Sequence, residues 1–130
     1  MRLLLDTHIL LWWAAADRRL AKDIRAAIAS PDADVLVSAA TFWELAIKQQ
    51  LGRIDIDLAD LRASVAADGF AELPVAIATT LRLQDLPDRH RDPFDRLLIA
   101  QAIESAAQLV TRDEQILAYA GTAGFQALEA

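Results

Sequence analysis

Short apolar runs alternate with longer stretches of helical periodicity along this chain, and that alternation limits the folds open to it. Arg2 to Leu5, Val35 to Val37 and Gln108 to Thr111 are too short for helices and read as buried strands. Ala71 to Leu73 and Phe125 to Leu128 are two weaker strands. Between them the spacing predicts helices over His8 to Ala16, Asp17 to Ile28, Ala39 to Leu51 and Asp57 to Gly69, with another after Pro74. Two more follow, from Asp92-Pro93 to Ser105 and from Asp113 to Ala120, and Leu86 to Pro93 reads as a polar loop. Asp17 is expected to cap the second helix and Ser38 the third. Strand and helix in turn, without repeats or linkers, give an α/β/α sandwich around a mostly parallel sheet of four to five strands. At 130 residues it is expected to form one domain, residues 1–130.

Composition removes several functional classes. There is no cysteine, so disulfides, thiolate zinc and a thiol nucleophile are excluded. His8 and His90 lack the spacing of a zinc pair. No glycine-rich phosphate loop or Gly-x-Ser-x-Gly elbow occurs. The longest apolar run, Ile9 to Ala16, is far short of a bilayer span, and Asp6 interrupts the N-terminal apolar stretch before a signal sequence develops. A soluble cytoplasmic protein with no membrane partner is the expectation. The formal net charge of −6 advertises no broad nucleic-acid footprint, although eleven of the thirteen basic residues are Arg, which suits bidentate phosphate contacts.

In parallel sheets, ligands bind beyond the carboxyl ends of the strands, where strand order reverses. Four acids have that placement. Asp6 follows the first strand, Glu44 lies on the helix after the second, Asp95 is in the first turn opened by Asp92-Pro93, and Asp113 follows Thr111. Each also has a local explanation. Asp6, Asp92 and Asp113 can cap helices, and Glu44 with Lys48 has the spacing of a solvent-exposed i,i+4 pair. Capping does not explain four acids at one end of one sheet. Two bare carboxylates about 4 Å apart repel by about 4 kcal/mol at an effective dielectric of about 20, so such a cluster needs protons or cations. Oxygen donors without Cys or a His pair favour hard ions, Mg²⁺ or Mn²⁺.

Leu3 to His8, Phe42 to Ala46, His90 to Ala102 and Val110 to Asp113 resemble, in order, the motifs of the PIN domain, and within it those of the bacterial VapC-type toxins of type II toxin–antitoxin pairs. The segment Asp92 to Ala102 is the most specific of these. The resemblance implies a Mg²⁺- or Mn²⁺-dependent endoribonuclease, silenced by a cognate antitoxin and usually a homodimer. It implies that Asp6, Glu44, Asp95 and Asp113 are the catalytic, metal-holding quartet, with Glu44 a further ligand or the group orienting the attacking water. Thr7 and Thr111 match supporting positions, and Asp92 belongs to the pattern while reading as a cap. Arg96, Arg112 and His90 lie near the motifs and are candidates for contacting RNA; ion pairing with neighbouring acids is the competing reading for the two arginines. The alternative function is a catalytically inactive PIN-like module that binds RNA or protein. A receiver-like domain using Asp6 is disfavoured because both lysines, Lys22 and Lys48, precede the later strands.

Overall fold

The computed structural model describes residues 1–88 and 92–130. Five strands, β1 (Arg2–Leu5), β2 (Asp34–Ser38), β3 (Ala71–Leu73), β4 (Gln108–Thr111) and β5 (Gln126–Glu129), form one sheet in the order β3-β2-β1-β4-β5, with every pairing parallel. The helices are α1 (Thr7–Ala14), α2 (Lys22–Ala29), α3 (Ala39–Gln50), α4 (Leu58–Ala67), α5 (Ile77–Arg82), α6 (Pro93–Glu104) and α7 (Glu114–Leu117).

The period-two alternation of the strands sorts the core into two layers. Leu3, Leu5, Val35, Val37 and Val110 face one side with Ile9 of α1, Ile24 and Ile28 of α2, Leu45 of α3, and Leu61 and Val65 of α4. Leu4, Leu36 and Leu109 face the other with Leu98, Ile99 and Ala102 of α6, Ile116 of α7, Tyr119 and Phe125. Both faces of the central strands are thus covered, which is why these strands read as unbroken apolar runs. The expected α/β/α sandwich is the observed one.

The differences are local. Asp17 does not cap the second helix, which begins at Lys22 with Ala21 as N-cap and no side-chain cap. Asp17 instead accepts from the Arg19 backbone N–H at 2.9 Å and pairs with the Arg19 guanidinium at 2.7 Å, closing a short turn before α2. The first helix stops at Ala14 because Ala16 adopts a positive φ of 51°. The last one is a single turn, ending at Leu117 rather than Ala120.

Strand order reverses between β1 and β4: β1 leads outward through β2 to β3, whereas β4 leads to β5 on the opposite side. In such sheets the ligand end is the one beyond the strand termini, here past Leu5 and Thr111.

Candidate active site

Asp6 is the residue immediately beyond β1. Its backbone N–H donates to Val110 O at 3.0 Å, so the β1–β4 ladder carries it to the sheet end. Its side chain is 5% exposed and caps α1, with Oδ1 accepting from the Thr7 N–H at 2.7 Å. Oδ2 accepts from Thr111 Oγ1 at 2.8 Å. Burial raises the Asp6 carboxyl above its ordinary value, against the opposing pull of the Thr111 and Thr7 hydrogen bonds and of His8, while the nearby charge of Glu44 adds to the rise.

Glu44 reaches the same place from α3. It is 9% exposed; Oε1 accepts from Thr7 Oγ1 at 2.7 Å and Oε2 pairs with Lys48 Nζ at 2.8 Å. The i,i+4 pair and the inward-facing acid, which compete as explanations of the sequence, are therefore both present. Lys48 brings its charge to the site instead of drawing Glu44 into solvent.

The line continues on the β4 side. Thr111 is fully buried, and its hydroxyl oxygen accepts from the Asp113 backbone N–H at 3.1 Å. Asp113 is exposed, and its Oδ1 caps α7 by accepting from the Gln115 N–H at 2.8 Å. Lys48, Glu44, Thr7, Asp6, Thr111 and Asp113 thus form one hydrogen-bonded series across the switch point. Asp95 lies in the first turn of α6, half-buried, behind the cap formed by Asp92, whose Oδ1 accepts from the Phe94 and Asp95 N–H groups at 2.9 and 3.2 Å. Among the described residues no three acids approach closely enough to grip one ion. The two threonine hydroxyls stand between the carboxylates, and Lys48 supplies positive charge. The donor set nonetheless suits a hard divalent ion, because the ligating atoms would all be oxygen and buried Asp6 is short of positive charge.

Two residues outside the quartet fix the frame. Ser38, at the end of β2, caps α3 through the Ala40 N–H at 3.0 Å and donates to Gln101 Oε1 at 2.5 Å. Gln101 Nε2 donates to Pro74 O at 3.3 Å, so α6 is tied to the ends of β2 and β3. Ser38 is legible as a cap, whereas nothing local in the sequence marks Gln101 as its partner.

The arginine candidates part company. The Arg96 guanidinium donates to Pro87 O at 2.9 Å, Leu83 O at 3.2 Å and Tyr119 Oη at 3.2 Å, while Tyr119 Oη donates to Pro87 O at 2.6 Å. Those contacts tie α6 to Leu83, Pro87 and Tyr119. Arg112 is exposed, lies 5.5 Å from the centre of the Trp12 ring and donates to Arg19 O at 3.3 Å. His90 lies outside the described residues.

A model of the PIN domain matches residues 3–122. The chain belongs to the PIN-domain family. Ribonuclease VapC22 of Mycobacterium tuberculosis is 34% identical over 119 residues, covering 87% of this chain and 88% of that one. Similar solved structures include VapBC2 of Rickettsia felis bound to a promoter DNA fragment (TM-score 0.71, 13% identity, 99% of this chain and 98% of that one) and VapBC-5 of Mycobacterium tuberculosis (TM-score 0.66, 22% identity, 99% and 98%). A toxin–antitoxin complex from Klebsiella pneumoniae also matches, at a TM-score of 0.61 and 22% identity over 98% of each chain. Asp6 and Thr111 accordingly lie at the carboxyl ends of neighbouring strands in a PIN-domain sheet.

Proposed function

We propose that this PIN-domain protein is a Mg²⁺- or Mn²⁺-dependent endoribonuclease toxin, restrained by a cognate antitoxin and acting in the cytoplasm as a homodimer. The observation that carries the reading is the series Glu44–Thr7–Asp6–Thr111–Asp113 at the sheet's switch point. The similarity to a protein named a ribonuclease supports the reaction, and the VapBC complexes among the structural neighbours support an antitoxin partner.

In this reading Asp6, Asp95 and Asp113 would hold the ion, and Glu44 would be a further ligand or would orient the attacking water. The ion supplies an activated water and a clamp on a phosphate oxygen. Thr7 and Thr111 fix the two oxygens of Asp6, and Asp92 sets the first turn on which Asp95 stands. Lys48 keeps Glu44 turned toward Asp6. Arg112, held over Trp12 at the exposed rim, meets an RNA phosphate, and His90 is a second candidate for substrate contact. Arg96 serves the frame through its carbonyl contacts.

The test is cleavage of single-stranded RNA by antitoxin-free protein with Mg²⁺ or Mn²⁺, with EDTA, and with Asp6→Asn. Loss of cleavage in EDTA and in the variant is expected. Cleavage that survives both would overturn the metal mechanism, and RNA binding without any cleavage would point to an inactive binding module.

A further inference from the structure

The ion pair that reaches into the candidate site is Lys48–Glu44. Both Glu44 oxygens are engaged, Oε1 by Thr7 Oγ1 and Oε2 by Lys48 Nζ at 2.8 Å. The Lys48 side chain is 30% exposed and that of Glu44 12%, so the pair is sheltered but still in contact with solvent. The stem of Lys48 rises from α3 one turn beyond Glu44, a spacing that brings the ammonium within reach of the carboxylate.

We infer that Lys48 is a built-in counter-ion that sets the metal concentration at which the site fills. This rests on the divalent-ion reading above. Before metal arrives, Lys48 neutralises Glu44 and holds it toward Thr7 and Asp6. A divalent ion held by Glu44 would meet the ammonium as a like charge and would compete with it for Glu44 Oε2. Lys48 therefore makes the empty site more stable and the filled one weaker. Its role is that of a positioning residue acting through Glu44. A lysine whose sole effect is to hold Glu44 in place gives the opposite sign for metal, since its loss would weaken binding with no charge repulsion relieved.

Calorimetric titration with Mn²⁺ separates the two, using the full chain freed of antitoxin, Lys48→Met, Lys48→Gln, Lys48→Arg and Asp6→Asn. Lys48→Met and Lys48→Gln are expected to bind Mn²⁺ roughly tenfold more tightly, the effect of removing one partly solvated like charge. They should melt below the parent in EDTA and gain more Tm on adding Mn²⁺. Lys48→Arg should restore parental affinity, and Asp6→Asn should lose binding. Unchanged or weaker Mn²⁺ affinity in the folded neutral variants, with Asp6→Asn still losing binding, refutes the counter-ion role and leaves the metal site standing. A parent protein that does not bind Mn²⁺, or an Asp6→Asn that binds it undiminished, overturns both.

Discussion

Thr7 joins two acids: its hydroxyl donates to Glu44 Oε1 at 2.7 Å, across 37 positions of sequence, while its backbone N–H donates to Asp6 Oδ1 at 2.7 Å. One small side chain thereby sets how the helix after β2 faces the end of β1.

Removing that hydroxyl without changing shape tests the bridge. Thr7→Val leaves a buried carboxylate oxygen without its donor and is expected to cost about 1–3 kcal/mol. Cleavage should fall at least about tenfold, since misorienting Glu44 by an equivalent of about 1.4 kcal/mol at the transition state is enough. Thr7→Ser keeps the donor and should retain most of both. Urea unfolding beside an RNA cleavage assay checks it, and a fully active, fully stable Thr7→Val would contradict the bridge.

Asp6 gives a pH prediction with a definite sign. Burial raises its carboxyl in the folded state, so the folded protein holds this proton more tightly than the unfolded one. The stability linked to it is complete below the unfolded carboxylate value of about 3.9 and is lost as pH rises through the folded value. At neutral pH, without metal, the ionised group opposes folding. Asp6→Asn should therefore raise Tm in EDTA at pH 7 by on the order of a few degrees while abolishing cleavage, and the gain should shrink toward pH 4. Melting curves across that range decide it; a lower Tm for Asp6→Asn at pH 7 would reverse the argument.

The Ser38–Gln101 contact at 2.5 Å joins the end of β2 to the helix that carries Asp95. Gln101→Leu strands the buried Ser38 hydroxyl and Pro74 O, and is expected to cost about 1–3 kcal/mol. Ser38→Ala loses both the cap and the contact. A double-mutant cycle should give a coupling of about 0.5–3 kcal/mol, and additivity would show the two side chains to be independent.

Arg96 and Arg112 should separate in a salt titration. Arg96→Met loses contacts to Pro87 O, Leu83 O and Tyr119 and should cost about 2 kcal/mol of stability. Arg112→Ala should change stability by less than about 1 kcal/mol, but lower the slope of log affinity for single-stranded RNA against log salt by about 0.7. An unchanged slope removes Arg112 from the substrate surface.

Much of this was written in short stretches of sequence. The apolar runs at Arg2, Val35 and Gln108 mark the three central strands. Ser38, Asp57, Asp92 and Asp113 are each followed by a helix whose N–H groups they accept. Such features depend on a few consecutive residues, because a strand's alternation and a helix's first turn are settled by local geometry. The acids beyond the strands were legible for the same reason, once a parallel sheet had been inferred.

What only the tertiary structure decided is whom each polar group meets. Asp17 takes Arg19 rather than a helix end, Arg96 takes the carbonyls of Pro87 and Leu83, and Lys48 follows Glu44 inward. Thr7 and Gln101 find partners 37 and 63 positions away. Apart from the exposed Asp17–Arg19 pair, these choices rest on burial, where an unmatched polar group is costly and any geometrically available partner is strongly favoured. Sequence alone determined the sheet, its helices and the acids at its edge; the hydrogen bonds that link Glu44, Asp6 and Asp113 came from the packing of distant segments against each other.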